Sequence, residues 1–193
     1  MGRVAARSRV AAVGNLSFAL SLDYSVFAFD FSGSGRSEGD FVTLGFNEQH
    51  DLKVVVDYLR SARSVSSVVL WGRSMGAATA LLYEPSADSK FVRALIVDSS
   101  FSSVSQLFDD FTARATGFGS LLTGGLKFMI RSSVIARAGF DPDDVRPIDN
   151  AVNARIPAFF IAGRQDAFII PERHTFPLHR AYKVSKQIHI VQG

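Results

Sequence analysis

The strongest constraint on the fold of this chain is a short turn between two regular segments. The apolar run 68–71 favours a buried strand, and the alanine-rich run 77–82 favours a helix that can pack closely on a sheet. Only one short sequence joins them: Gly72-Arg73-Ser74-Met75-Gly76. The segment therefore predicts a strand, a sharp turn and a helix, with Ser74 exposed on the turn.

The same alternation continues along the chain. Five apolar segments are the strand candidates: Tyr24–Phe31, Ser67–Trp71, Val92–Val97, Pro157–Ala162 and Lys186–Val191. A helical stripe separates the first two, at positions Leu52, Val55, Val56 and Leu59. This order predicts an α/β fold, with a mostly parallel sheet flanked by helices. Residues 102–156 lack a strand pattern and predict a helical insertion, or cap.

Composition narrows the class of protein. The 193 residues are 47% hydrophobic and contain no linker, which predicts a single domain over residues 1–193. The absence of cysteine excludes disulfides, thiolate metal sites and a cysteine nucleophile. The formal charge of +3 is scattered, so we expect no nucleic-acid partner. No apolar run has the roughly 18 residues of a membrane span, and we expect a cytoplasmic protein.

The turn also carries chemistry. A serine hydroxyl becomes a nucleophile when a base removes its proton and a rigid backbone aims it. Gly72 and Gly76 are expected to remove side chains that would collide at such a turn, and the Met75 N–H at the helix start would bind an oxyanion. The alternative is a glycine-rich turn without chemistry.

A carboxylate follows a later strand candidate. Asp166 comes shortly after Gly163, which places it at the carboxyl edge of the sheet, where open α/β sheets hold their sites. There it would orient a histidine. One alternative is that Asp166 is an ordinary helix N-cap, standing before the segment that begins at Pro171. The other is that Asp98, at another strand end, is the acid.

A glycine-rich loop, Asp30 to Gly39, resembles a phosphate loop only superficially. Its glycines are too loosely spaced for either nucleotide fingerprint, and no Gly-Lys-Ser or Gly-Lys-Thr follows. We therefore expect a structural turn beside the site, and neither a cofactor nor a metal.

Three segments carry a resemblance to a known family: Asp30–Gly39, Val97–Phe101 and Ile161–Asp166. Together with the Ser74 turn, they resemble the α/β-hydrolases of serine aminopeptidase, monoacylglycerol-lipase and protein-depalmitoylase types. The resemblance implies a serine hydrolase that cleaves ester, thioester or amide bonds through an acyl-enzyme on Ser74, with Asp166 as the acid. The expected substrate is a small acyl ester, acyl thioester or peptide.

The general base is harder to place, because the chain has four histidines. His50 lies off the helical stripe, His174 and His179 are expected on the surface of a helix, and His189 is expected to be a partly buried strand residue. The family places its base on the loop after the last strand, and the chain ends at Gly193. We expect the histidine beyond that residue; the alternative is an inactive hydrolase-like fragment or binding module.

Two further expectations follow from the resemblance. The family's first strands and its His-Gly loop are missing, so the strands ending at Phe31 and Trp71 should leave a gap or pair with each other. Each unpaired buried backbone group would cost about 1–3 kcal/mol. In the cap, an apolar face formed by Leu122, Leu126 and Ile130 could line an acyl pocket or cover the sheet edge. Two cations of the same segment, Lys127 and Arg131, could contact a membrane.

Overall fold

The structure is a computed structural model that describes residues 13–62, 64–116 and 123–192. The chain divides into two compact units, residues 1–42 and residues 43–193. Across the described part of the chain, every helix is too short or too polar to cross a membrane.

The smaller unit contains helix α1 (Val13–Ser21). The strand predicted over Tyr24–Phe31 is wrong, because those residues form neither a strand nor a helix. The side chains of Tyr24, Val26 and Phe27 are exposed. An apolar segment becomes a strand only where another strand pairs with it, and the four strands of the described sheet all come from the larger unit.

The glycine-rich loop of the smaller unit is a hydrogen-bonded turn. The Arg36 N–H donates to Asp30 Oδ2 at 3.1 Å, and the Ser37 hydroxyl donates to Asp30 O at 2.8 Å. Gly35 has φ 59°, and a Cβ there would lie 2.4 Å from the Asp30 carboxylate. The loop therefore requires glycine at this position for its own geometry.

The larger unit alternates helices and strands. Its elements are α2 (Glu48–Ser61), β1 (Val68–Arg73), α3 (Met75–Tyr83), β2 (Val92–Asp98), α4 (Val104–Thr116), α5 (Thr123–Ala138), α6 (Pro147–Ala151), β3 (Ala158–Gly163), α7 (Thr175–Ala181) and β4 (Lys186–Val191). Short 3-10 turns lie at Glu84–Ser86 and Pro142–Asp144. The predicted stripe on α2 is confirmed, since Leu52 and Val56 are buried.

The four strands form one parallel sheet in the order β1-β2-β3-β4. Four of the five predicted strands are thus confirmed: β4 has the predicted ends, and the ends of the other three differ by at most two residues. Because all four run the same way, their carboxyl ends meet at one edge. Ser74 follows β1, Asp98 ends β2 and Asp166 comes three residues after β3.

Helix α3 covers one face of this sheet. Ala77 and Ala78 are completely buried, and such small side chains let the helix axis approach the strands closely. Under the helices lie fully buried strand residues such as Leu95, Val97 and Phe160. Each contributes about 1.5–3 kcal/mol through burial. This packing fixes the direction in which α3 leaves the turn at Ser74.

The described residues of the segment 102–156 contain helices and no strand. Its apolar core contains Phe101, Val104, Leu107, Phe140 and Val145, and Ala78 of α3 belongs to the same cluster. On α5, Val134 packs against this core, whereas Leu126 is exposed. Leu122, from the predicted apolar face, lies outside the described residues.

Candidate functional site

Ser74 lies between the last residue of β1 and the first residue of α3. Its backbone has φ 53° and ψ −117°, a conformation that is costly for a residue with a Cβ. The Ser74 N–H donates to Asp98 O at 2.8 Å, and Ser74 O accepts from the Ala77 and Ala78 N–H groups, each at 3.0 Å. These bonds tie the turn to β2 and α3 and so offset its strain.

The two glycines of the turn differ in their steric role. A Cβ on Gly72 would lie 2.2 Å from Gly76 O, a backbone atom that cannot move aside without shifting α3. A Cβ on Gly76 would meet nothing within 4 Å. The expectation that both glycines prevent collisions is therefore right for Gly72 and wrong for Gly76, because α3 leaves the turn with Gly76 facing open space.

The Ser74 side chain is half-buried. Within the described ranges, no side chain or backbone group makes a hydrogen bond to Ser74 Oγ. Met75 begins α3, and the first N–H groups of a helix have no acceptor inside it. Together with the helix dipole, this favours an anion at the turn, and the oxyanion role of Met75 stays a prediction.

Asp98 ends β2 beside the turn. The Ser99 hydroxyl donates to Asp98 Oδ1 at 3.0 Å, and Arg73 Nε lies 3.7 Å from Asp98 Oδ2. Burial raises the pKa of the Asp98 carboxyl, against the opposing effects of Ser99 and Arg73, and the negative charge of Asp166 raises it further. The Asp166 carboxylate is therefore close enough to influence the ionisation of Asp98.

Asp166 stands on the turn after β3. Its Oδ1 accepts from the N–H groups of Phe168 and Ile169, each at 2.9 Å, and its own N–H donates to Gly163 O at 3.1 Å. The residue that precedes α7 is His174, so Asp166 does not cap that helix. It caps the turn with one oxygen, which leaves the other available for a second donor.

Ser74 and Asp166 follow strands that both neighbour β2. Adjacent strands lie about 4.8 Å apart, so two strands on either side of a third are about 10 Å apart. At that separation the side chains of Ser74 and Asp166 are too far apart for a direct hydrogen bond. An imidazole between them would reach both, which is the arrangement that a serine–histidine–aspartate triad requires.

Two of the four histidines are exposed. His50 is a solvated residue of α2, as expected. His189 was expected to be partly buried, and this is wrong: it lies on β4, which pairs only with β3 among the described strands, and its side chain is exposed. Neither histidine is hydrogen-bonded to Ser74 Oγ.

The other two histidines are not surface residues, contrary to the prediction. His179 is half-buried, with its ring edge-on to Phe160 at 5.5 Å between centroids. His174 is completely buried. His179 lies on the face of α7 that packs towards β3, whereas His174, the residue before α7, is buried against Ser102 and Asp110. Burial lowers the pKa of each ring.

His174 belongs to a polar cluster that the sequence did not indicate. Its Nδ1 accepts from the Ser102 N–H at 3.1 Å, and its Nε2 lies 2.9 Å from Asp110 Oδ2. Arg173 Nη1 lies 2.7 Å from Asp110 Oδ1. Ser102 and Asp110 are 72 and 64 residues from His174, and no short-range pattern connects residues at such distances.

A cavity of about 220 Å³ opens between α4 and α5. Ile130, predicted for an acyl pocket, lines it together with Phe108 and Phe128. The two predicted cations also line it, and both are engaged within the chain: Lys127 with Asp109, and Arg131 with Asp141 and Asp143.

Comparison with known proteins places the chain in a family. The serine aminopeptidase family S33 matches residues 17–138, which include the Ser74 turn. Among curated proteins, the uncharacterized protein YqkD of Bacillus subtilis is 28% identical over 176 residues, or 90% of this chain and 56% of that protein. The uncharacterized protein YfhR of Escherichia coli O157:H7 is 25% identical over 171 residues, or 88% and 52%.

Solved structures share the fold. The Pyrococcus furiosus esterase Pf2001 superposes with a TM-score of 0.71 at 22% identity, covering 97% of this chain and 70% of the esterase. The Paleococcus ferrophilus monoacylglycerol lipase gives 0.68 at 18% identity, covering 97% and 81%. The chain spans about half the length of the curated relatives it matches. It belongs to the serine aminopeptidase S33 family of the α/β-hydrolase superfamily.

Proposed function

We propose that the full-length protein is a serine hydrolase that cleaves ester, thioester or amide bonds through an acyl-enzyme on Ser74. The observation that carries the proposal is the turn itself, where a non-glycine residue is held at φ 53° between a strand and a helix N-terminus. Backbone strain of this kind concentrates at functional sites. Membership of a hydrolase family supports the same chemistry.

In the proposed reaction, Ser74 Oγ attacks the acyl carbon while its proton passes to a histidine base. The carbonyl oxygen becomes an oxyanion that accepts a hydrogen bond from the Met75 N–H. When the tetrahedral intermediate collapses, the bond to the alcohol, thiol or amine breaks, and the leaving group takes the proton from the histidine. Water then attacks the acyl-enzyme by the same route and releases a carboxylic acid.

Asp166 is the orienting acid in this proposal. The free oxygen of its carboxylate would accept the N–H of the histidine on the side away from Ser74, and would stabilise the imidazolium that forms. The base is a histidine on the loop that follows β4, as the resemblance implies. The small acyl ester, acyl thioester or peptide remains the expected substrate class.

A fluorophosphonate probe tests the nucleophile, because it forms a covalent bond only with an activated serine. We expect the full-length protein to be labelled, and Ser74→Ala to lose at least about 100-fold of the labelling rate. Ser66→Ala is the matched control, since Ser66 is exposed and outside the turn. Equal labelling of the wild type and Ser74→Ala would contradict the proposal.

A second candidate is a hydrolase-like module without catalytic activity in residues 1–193. This candidate is favoured because Ser74 Oγ makes no hydrogen bond to a histidine among the described residues. Loss of the base from a triad removes several orders of magnitude in rate. Appreciable turnover of p-nitrophenyl butyrate by this chain, abolished in Ser74→Ala, would rule the module out.

A further inference from the structure

The buried cluster around His174 lies next to the segment that carries Asp166. Three of its members are almost inaccessible to solvent: Ser102, Asp110 and His174. Ser102 comes just after β2, Asp110 lies in α4 and His174 precedes α7. The cluster therefore joins three parts of the larger unit that are distant in sequence.

The geometry resembles a serine–histidine–aspartate triad, but its protonation is wrong for one. His174 Nδ1 lies 3.1 Å from the Ser102 hydroxyl oxygen, but it also accepts the backbone N–H of Ser102 at 3.1 Å, so its single lone pair is already engaged and is a poor base for that hydroxyl. The proton of the neutral ring is consequently on Nε2, facing Asp110. Since the ring is also completely buried, a substrate cannot reach it. The cluster has a supporting role.

What it supports is the segment from Asp166 to His174, which is attached to α4 at both ends. At the far end, Asp110 binds Arg173 and lies against His174, while the Ser102 hydroxyl donates to Arg173 O at 3.3 Å. At the near end, Arg114 donates to Ala167 O and lies over the Phe168 ring.

Between these ends the segment buries Ile169 and Pro171, and Ile169 packs in the core with Phe101 and Leu107. The Ile169 N–H is also one of the two donors to Asp166 Oδ1. A shift of the segment along α4 would therefore move the donors that fix the Asp166 carboxylate.

We propose that His174 is a positioning residue for Asp166, acting with Ser102 and Asp110 to hold the segment between them against α4. The catalytic value of this role rests on the proposed function, in which Asp166 orients the base. The mechanical part does not, because the bonds to Asp166 Oδ1 can be measured in the chain whatever it catalyses.

Amide hydrogen exchange at Phe168 and Ile169 tests the mechanical part in residues 1–193. His174→Asn keeps an acceptor near Nδ1 but is too short to reach Asp110. We expect exchange at these two amides to rise by about tenfold more than at amides in β2. A rise of equal size throughout the larger unit would mean a general loss of stability, and would overturn the proposal, as would no change.

Asp110→Asn is the second variant, because it keeps the size and shape of the side chain. The new amide group either directs its own N–H towards the Nε2–H of His174, or presents to Arg173 a group without the negative charge of the carboxylate. Each orientation weakens one of the two contacts that Asp110 makes with the segment. The same selective rise is expected, with Asp109→Asn as the control one residue earlier on α4. Unchanged exchange at Phe168 and Ile169 in Asp110→Asn would overturn the proposal even if His174→Asn fails to fold.

The catalytic part is tested in the full-length protein by measuring kcat and KM of His174→Asn and Asp110→Asn. The value of kcat is expressed per site that the fluorophosphonate probe labels at Ser74. A misplaced Asp166 should lower kcat by about tenfold to a hundredfold with little change in KM. A purely structural role would lower the number of labelled sites and leave kcat per site unchanged. Absence of labelling in the wild type would refute the proposed function alone, since the exchange result stands independently.

Discussion

Ser74 and Asp166 follow strands of the same sheet, yet they are held by contacts of different range. The conformation of Ser74 depends on near neighbours, with Gly72 giving the space and Ala77 and Ala78 the bonds to its carbonyl. One long-range bond, to Asp98 O, completes it. The segment of Asp166 has local bonds too, but it is anchored by residues of α4 that lie more than fifty positions earlier.

This difference teaches which changes each site should tolerate. A turn defined by local sterics should fail when a single local atom is added and should be insensitive to distant changes. A segment anchored across the fold should respond to distant substitutions and to the ionisation of buried groups. Three predictions separate the two behaviours.

The largest effect is expected for Gly72→Ala. The added Cβ would lie 2.2 Å from Gly76 O, so either β1 or α3 must shift, and we expect a loss of about 3 kcal/mol or more. The measurement is urea unfolding. Gly76→Ala is the matched control and should change stability by less than about 1 kcal/mol, towards greater stability, because alanine favours the helix. Equal losses in both variants would contradict a local steric origin.

The second effect is a pH dependence of stability that arises at His174. Burial lowers the pKa of the ring; the charges that face it are Asp110, Arg173 and Asp166. The unfolded chain takes up a proton near the ordinary value of 6.5, and the folded ring resists it. Stability should therefore be complete above that pH and fall below it, by at most about 1.4 kcal/mol per pH unit.

The check is the free energy of unfolding in urea, measured between pH 8 and pH 5.5. His174→Gln should remove most of the slope between about pH 6.5 and pH 5.5, because the titrating group is gone. His50→Gln, at an exposed position of α2, should leave the slope intact. An unchanged slope in His174→Gln would show that other groups account for the acid sensitivity.

The smallest effect concerns the strain at Ser74. Glycine adopts φ 53° without a steric cost, so Ser74→Gly should be more stable than Ser74→Ala by about 1 kcal/mol. Both variants lack the hydroxyl, so the comparison isolates the backbone. Thermal unfolding of the two proteins side by side is sufficient. A less stable glycine variant would mean that the turn is not strained.

The difference in range also explains what could be predicted from the sequence. The turn at Ser74 was predictable because strand, glycine and helix follow one another within a few residues. The strands β1 to β4 were predictable because their apolar runs are short and continuous. Asp166 was placed at the end of β3 by the same reasoning, and its candidacy as the acid remains a prediction.

The failures all concern the surroundings of a residue. Tyr24–Phe31 has the composition of a strand, but composition does not supply a neighbour. His174 stands in a segment that reads as a surface helix, and its burial depends on Ser102 and Asp110, whose contact with it is created by the fold. His189 alternates correctly within β4, yet alternation does not tell whether a helix covers that face.

The strained backbone of Ser74 means that the conformational entropy of this residue is lost during folding and not during ligand binding. The conformation is fixed as the chain folds, since the bonds to Asp98, Ala77 and Ala78 belong to the native structure. A ligand that reaches the turn therefore meets a hydroxyl whose backbone has no conformational search left to make. Such preorganisation leaves only rotation about the Cα–Cβ bond to be restricted on binding, and favours reaction over loose association.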